Sequence, residues 1–219
     1  MYDLLNQVLN DPMRLQTIKS LAIFDSPSEL AFDRLTRLAS KIVGAPVSLV
    51  SLVDNKRQWF KSMVGLPEPW ASQRETPLSH SFCQHVVATN KPLVVTDARE
   101  VSFLKTNLAI PDLNVIAYLG MPLTTREGFG LGSFCVIDSK PRVWTDTEIE
   151  IMGDLADTAM SLIDMRGQLV SLHYMAEDKL MRADEALDAA KKEHQTMVST
   201  ITQMLQSQKP AAEILNYLK

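Results

Sequence analysis

Residues 47–64, VSLVSLVDNKRQWFKSMV, decide the fold class. Val47, Leu49, Val50, Leu52 and Val53 form a β-rich run that ends at Asp54-Asn55, a turn signal. Gln58 to Val64 then resumes the strand character with Trp59, Phe60 and Val64, so the two runs predict a β-hairpin. Upstream the period is helical. Leu4, Leu5, Val8 and Leu9 suggest a short amphipathic helix, and Asp11-Pro12 supplies an N-cap and a first-turn proline for a second through Leu15, Ile18, Leu21 and Ala22, ending near Phe24. Ser26-Pro27-Ser28-Glu29 reads as a capping box opening a third helix, with Leu30, Leu35, Leu38, Ala39 and Ile42 on its apolar face and Gly44 as its stop.

Downstream, residues 65–77 hold three prolines and little periodicity, and are expected to be loop. Ser79 or Ser81 caps a short helix through Val87, and Leu93-Val94-Val95 is a short strand. Residues 98–114 read as a long connection containing a turn of helix. Val115 to Leu123 and Gly132 to Ile137 are further strands with a turn around Glu127-Gly128. Thr145-Asp146-Thr147-Glu148 is another capping box and starts a long helix. Helices, hairpin, helix, strands, helix is the order of an α+β domain with a mostly antiparallel sheet.

The last helix carries a seven-residue repeat. Leu155, Leu162, Leu169, Ala176, Ala183, Ala190, Met197 and Met204 share one seam position; Met152, Ala159, Leu180, Leu187 and Ile201 share its partner, with Arg166, His173 and His194 as polar interruptions. A 3/4 alternation of that length predicts a coiled coil, on the order of 90 Å if unbroken. The seam therefore predicts a homodimer. Its polar residues specify alignment at a cost in stability, and its alanines thin the middle of the coil.

Composition narrows the function classes. The 219 residues suit one domain of about 150 residues plus a long helix. Net charge is −4 and the isoelectric point about 5.6, which argues against nucleic acid or an anionic membrane as the main partner. No apolar run of the length needed to span a bilayer occurs. The start, MYDLLNQVLNDP, lacks the features of a secretory signal, and two cysteines, Cys83 and Cys135, are too few for a disulfide framework. The expected compartment is a reducing cytoplasm.

The blocks APVSLVSLVDNKRQWFKS, TPLSHSFCQHVV, PLVVTDAR, YLGMPL and LGSFCVID…WTDTE, in that order, resemble the bacterial GAF domain family, in a common signalling subgroup, over roughly residues 14–165. The resemblance implies a central antiparallel sheet of about six strands, with the first and last helices together on one face and a small-ligand pocket on the other. It also implies that the final helix continues as a signalling coiled coil toward a kinase, cyclase or phosphatase module. Beyond Met204 there is no phospho-acceptor box, ATP lid or cyclase signature, so the expectation is either an output module cut away from this stretch or a stand-alone sensor dimer acting on a separate partner.

The candidate pocket residues are Trp59, Phe82, Cys83, His85, Tyr118, Met121 and Cys135, with Phe60 beside them and Asp97 and Arg99 at the mouth. Phe60, Met121 and Cys135 read better as core than as pocket. His80, Cys83, His85 and Cys135 are the metal-ligand types present, but on a helix Cys83 and His85 project about 200° apart, so no metal site is expected. Light-sensing relatives attach a bilin to a cysteine on this helix, usually followed directly by histidine; here Gln84 intervenes between Cys83 and His85. The Asn-Lys-Phe-Asp-Glu signature of cyclic-nucleotide binders is absent. A thiol relay like that of the methionine-sulfoxide-reducing members looks poorly placed, with Cys83 on a helix and Cys135 in a strand. The expectation is a non-enzymatic sensor. It comprises N-terminal helices (1–25), a GAF sensory domain (26–150), a coiled-coil helix (151–207) and a short tail (208–219). The alternatives are a ligand-free dimerisation module, or a bilin- or thiol-based sensor using Cys83.

Overall fold

The structure, a computed structural model, describes residues 2–207; the short tail expected at 208–219 lies outside the described residues. The chain divides into two compact units after Val170.

The first unit is built on six strands: β1 (Val47–Val53), β2 (Arg57–Val64), β3 (Glu75–Pro77), β4 (Leu93–Val95), β5 (Ala117–Thr124) and β6 (Gly130–Asp138). They form one sheet in the order β3-β2-β1-β6-β5-β4, with every neighbouring pair antiparallel. The helices are α1 (Tyr2–Leu9), α2 (Pro12–Ser20), α3 (Leu30–Val43), α4 (Trp70–Gln73), α5 (Cys83–Thr89), α6 (Ala109–Leu113) and α7 (Asp146–Gln206), with a 3-10 turn at Leu78–His80. The expected α+β class and antiparallel sheet are both present.

Local chemistry explains most boundaries. The Asp11 carboxylate accepts from the Arg14 N–H at 2.8 Å and Pro12 opens α2. Gly44 ends α3 at φ +68°, the left-handed conformation glycine adopts without a Cβ penalty. Thr145 and Glu148 bond reciprocally, Glu148 N–H to Thr145 Oγ1 at 3.2 Å and Thr145 N–H to Glu148 Oε2 at 2.8 Å. Three expectations need correction. α3 starts at Leu30, not at the Ser26–Glu29 box, because the Glu29 carboxylate is taken by Lys61 and Arg166 instead of capping the helix. α2 ends at Ser20, before Leu21 and Ala22. The stretch 65–77 is not all loop: it contains α4 and β3, whose Glu75–Pro77 pair with Trp59–Arg57 at the sheet edge.

The sheet is buried on both faces, as β6, buried throughout, makes plain. On one face α3 and the first turns of α7 supply Phe32, Ala39, Val43, Met152, Ala156, Ala159 and Ile163 against Val50, Leu52, Trp59, Leu119, Met121, Phe134 and Val136. On the other, α1, α5 and α6 cover Leu49, Val53, Phe60, Tyr118 and Cys135. A bulge at Lys61, set between the pairs Val50–Ser62 and Ser51–Phe60, turns this lysine toward α3. There its buried Nζ donates to Glu29 at 2.5 Å, and Arg166 of α7 donates to the same carboxylate oxygen at 2.5 Å.

The heptad seam changes character along α7. Met152, Leu155 and Ala159 are buried in the core of their own chain and Leu162 packs against it, so these positions do not lie open for a partner helix. Arg166, a seam interruption by sequence, is held by Glu29 and the Ala22 carbonyl. From Leu169 to Met197 the seam side chains are exposed, and Ile201 and Met204 are half-buried.

The second unit, residues 171–206 of α7 among those described, is one helix. Intrahelical ion pairs His173–Glu177 (3.2 Å), Arg182–Asp178 (3.1 Å) and Lys191–Asp188 (3.3 Å) line its surface. Leu180 and Leu187 are 65% and 53% exposed.

Candidate functional site

The alternation of β5 places Tyr118, Gly120 and Pro122 on successive same-side positions, and β6 sets Cys135 opposite Gly120. A Cβ on residue 120 would meet the Tyr118 ring, so glycine leaves the space the phenol fills. From there the Tyr118 hydroxyl reaches Cys83 Sγ of α5 at 3.2 Å and Ser133 Oγ of β6 at 3.1 Å. Cys135 and Ser51 also act on the ionisation of the Cys83 thiol. A second polar string runs alongside: Gln58 Nε2 donates to Ser51 Oγ at 3.5 Å, Ser81 Oγ donates to Gln58 Oε1, and Ser81 Oγ accepts from the Gln84 N–H at 3.0 Å.

These strings border a cavity of about 30 Å³ between α5, α6 and the sheet. That is room for a water or two, at roughly 10–15 Å³ of such space per water. Its walls are Leu49, Phe60, Phe82 and Tyr118 with Cys83 and Cys135, and its polar groups include Gln58, Thr76 and His80. The Thr76 hydroxyl is buried there with no hydrogen-bond partner. At the rim His80 Nε2 bonds Asp112 at 2.9 Å and its ring sits 5.0 Å from that of Trp70. Among the described residues, no lysine, arginine, aspartate or glutamate lines the wall.

Burial shapes the titration of the group. Burial pushes Cys135 and Tyr118 well up, and the neighbouring sulfurs raise them further. Burial also opposes ionisation of Cys83, but hydrogen bonds from Cys135, Tyr118, Ser51 and Ser133 favour its thiolate, so Cys83 is the most acidic member.

Five of the sequence candidates, Phe60, Phe82, Cys83, Tyr118 and Cys135, meet at this cavity. Trp59 and Met121 do not; they lie across the sheet under α3 and α7. His85 lies apart from Cys83, as the helical angle requires, in a separate cleft with Leu5, Leu9 and Phe103. Its ring is 5.0 Å from Phe103, its Nδ1 has no partner, and burial lowers its pKa to about 4. Asp97 and Arg99 pair with each other at 2.5 Å in the loop after β4, away from the cavity wall. Gln58 and Thr76 were missed by the sequence reading; a polar residue two before Phe60 in an otherwise buried strand is the signal that marks Gln58. The two thiols, expected to be poorly placed for a relay, line the same cavity. A tetrapyrrole does not fit: the cavity is too small, the Cys83 sulfur is committed inside it, and His85 lies elsewhere. Among the described residues no cluster of three metal-ligating side chains occurs, and no helix is long and apolar enough to cross a membrane.

Comparison with known proteins agrees with the fold. The chain is 28% identical over 172 residues to a cyclic di-GMP phosphodiesterase of Pseudomonas aeruginosa, an alignment covering 78% of this chain and 26% of that protein. The chain thus spans about a quarter of that relative's length. Among solved structures it is similar to the GAF domain of an Acinetobacter phosphoenolpyruvate-protein phosphotransferase, with a TM-score of 0.52, 17% identity and coverage of 71% of this chain and 95% of that one. It is also similar to the second GAF domain of DevS from Mycobacterium smegmatis, with a TM-score of 0.50, 15% identity and coverage of 65% and 97%. Residues 28–163, well over half of the chain, match the GAF domain profile, and the chain belongs to the GAF domain family.

Proposed function

We propose that this chain is a cytoplasmic sensory module of bacterial signal transduction, non-enzymatic in itself. It takes up a small effector between α5 and the sheet and passes the change to a second copy through a parallel pairing of α7. The observation that carries the reading is the two-faced sheet: the Tyr118–Cys83 cavity lies on one side, and the first turns of α7 are part of the core on the other. The physical route is short. Phe60 lines the cavity while the adjacent bulge residue Lys61 points through to Glu29, which also holds Arg166 of α7. An occupant that displaces β2 therefore pulls on the ion pairs at α7.

A wall without fixed carboxylates or cations favours a small neutral effector over a nucleotide phosphate. Anything larger than a water or two needs the rim at Leu66, His80 and Leu113 to open. The exposed Leu169, Leu180, Leu187 and Met197 support pairing with a second copy, because a heptad stripe of that length loses its apolar water contact only against another helix. The partner output module, a kinase, cyclase or phosphatase, belongs to the same proposal; the phosphodiesterase relative supports it in kind. Native mass spectrometry of the purified chain tests the reading. A dimer that gains the mass of a small neutral compound supports it, and a monomer at micromolar concentration contradicts it. A dimer that takes up none of a broad panel of small neutral compounds favours the ligand-free dimerisation module instead.

A further inference from the structure

Cys83 and Cys135 are 52 residues apart in sequence, on α5 and β6, yet both line the same small cavity beside Tyr118, and each thiol acts on the other's ionisation. Both are free and buried, and both face the same small space. The Tyr118 hydroxyl, 3.2 Å from Cys83 Sγ and 3.1 Å from Ser133 Oγ, is held within hydrogen-bond reach of one of the two sulfurs. Ordinary buried thiols are inert because apolar surroundings keep them protonated and exclude reagents. Here both conditions fail: the Tyr118 hydroxyl contacts the Cys83 sulfur, and the adjoining space admits a molecule of water's dimensions.

We propose that Cys83 and Cys135 form a peroxide-oxidisable pair, with Cys83 the attacking thiol, Cys135 the resolving one and hydrogen peroxide the oxidant. Hydrogen peroxide has two heavy atoms and the hydrogen-bonding habits of water, so it suits a cavity of about 30 Å³. The Cys83 thiolate attacks one peroxide oxygen; an S–O bond forms and the O–O bond breaks. The departing hydroxide takes up the proton that the Cys83 thiol released and leaves as water. Cys83 is thereby oxidised to the sulfenic acid and the peroxide reduced. The Cys135 sulfur then attacks the Cys83 sulfur. An S–S bond forms, the S–O bond breaks, and the hydroxyl leaves with the Cys135 proton as a second water. The disulfide ties α5 to β6 and removes the Cys83–Tyr118 hydrogen bond. This chemistry needs no effector, so its outcome is separate from that of the sensory reading.

The test is intact-mass spectrometry of the native full chain after peroxide treatment, without reductant. The expected result is a loss of two hydrogens, with a Cys83–Cys135 cross-linked peptide in the non-reducing digest. Cys135→Ser should instead accumulate a Cys83 adduct with the sulfenic-acid probe dimedone. Tyr118→Phe should slow oxidation roughly tenfold, the effect of one hydrogen bond to an anion. An unchanged mass under conditions that oxidise an exposed protein thiol would overturn the proposal. So would a cross-link that forms only after denaturation, seen in wild type whether or not the variants fold.

Discussion

The Tyr118 ring occupies the space that a side chain on Gly120 would need: a Cβ there would overlap the phenol oxygen and stand 2.5 Å from the nearest ring carbon. Tyr118 cannot yield, since it is fully buried and its hydroxyl is fixed between Cys83 and Ser133. Gly120→Ala is therefore expected to cost about 1–3 kcal/mol by overpacking. Urea denaturation checks it. A cost near zero would mean that the phenol moves freely.

Arg14 is buried to 1% exposure and donates only to main-chain carbonyls: Val8 at 3.0 Å, Leu9 at 3.0 Å, Val53 at 2.8 Å and Gly130 at 3.1 Å. It ties the end of α1 to the hairpin and to the start of β6. Arg14→Met fills the space but leaves those carbonyls unpaired, and is expected to destabilise by about 4 kcal/mol. Thermal denaturation with a matched exposed control, Arg37→Met, makes the comparison, and the control should shift little.

Glu29 neutralises two cations at once, Lys61 with no exposed side-chain surface and Arg166 on α7. Glu29→Gln leaves a buried ammonium without its counter-charge and should cost roughly 2–3 kcal/mol, less than for a fully enclosed pair because Glu29 is partly exposed. Adding Lys61→Met removes the stranded charge. The double variant should be more stable than Glu29→Gln alone, as a double-mutant cycle in urea would read.

His85 is buried beside Phe103 and its pKa falls to about 4 from a normal value of 6.5, through burial alone. The unfolded chain thus binds a proton that the folded chain resists. Stability from this group is complete above pH 6.5 and is lost as pH falls from there toward 4, by up to about 1.4 kcal/mol per pH unit. Denaturation midpoints at pH 7, 5.5 and 4.5 in wild type and His85→Gln check the sign: the variant should show the shallower loss.

Legibility of the fold followed the locality of the physics. The hairpin at Asp54-Asn55, the Thr145 capping box and the Gly44 stop each rest on interactions within a few residues, and each is visible in the chain itself. The Glu29 end of α3 was not, because the carboxylate that completes a capping box there is claimed by residues 32 and 137 positions away. Face assignment failed for Trp59 and Met121 for a different reason. Strands covered on both sides are apolar throughout, so alternation carries no polarity. On β2 the bulge at Lys61 also shifts the parity, placing Met63, Phe60 and Gln58 on the cavity side. The meeting of Cys83 with Cys135 follows from sheet order and α5 packing, which no local pattern encodes. Arg14 reads as an ordinary polar helix residue until the carbonyls around it are known.

The central claim, that the exposed seam of α7 pairs in parallel with a second copy, is tested most directly by spin-label distances between chains. Single nitroxides on Ser171→Cys and, separately, Ser199→Cys sit near the two ends of the second unit, while the native cysteines are buried. A parallel, in-register pair predicts a short interchain distance at both positions. A distance that is long or absent at either position would contradict it.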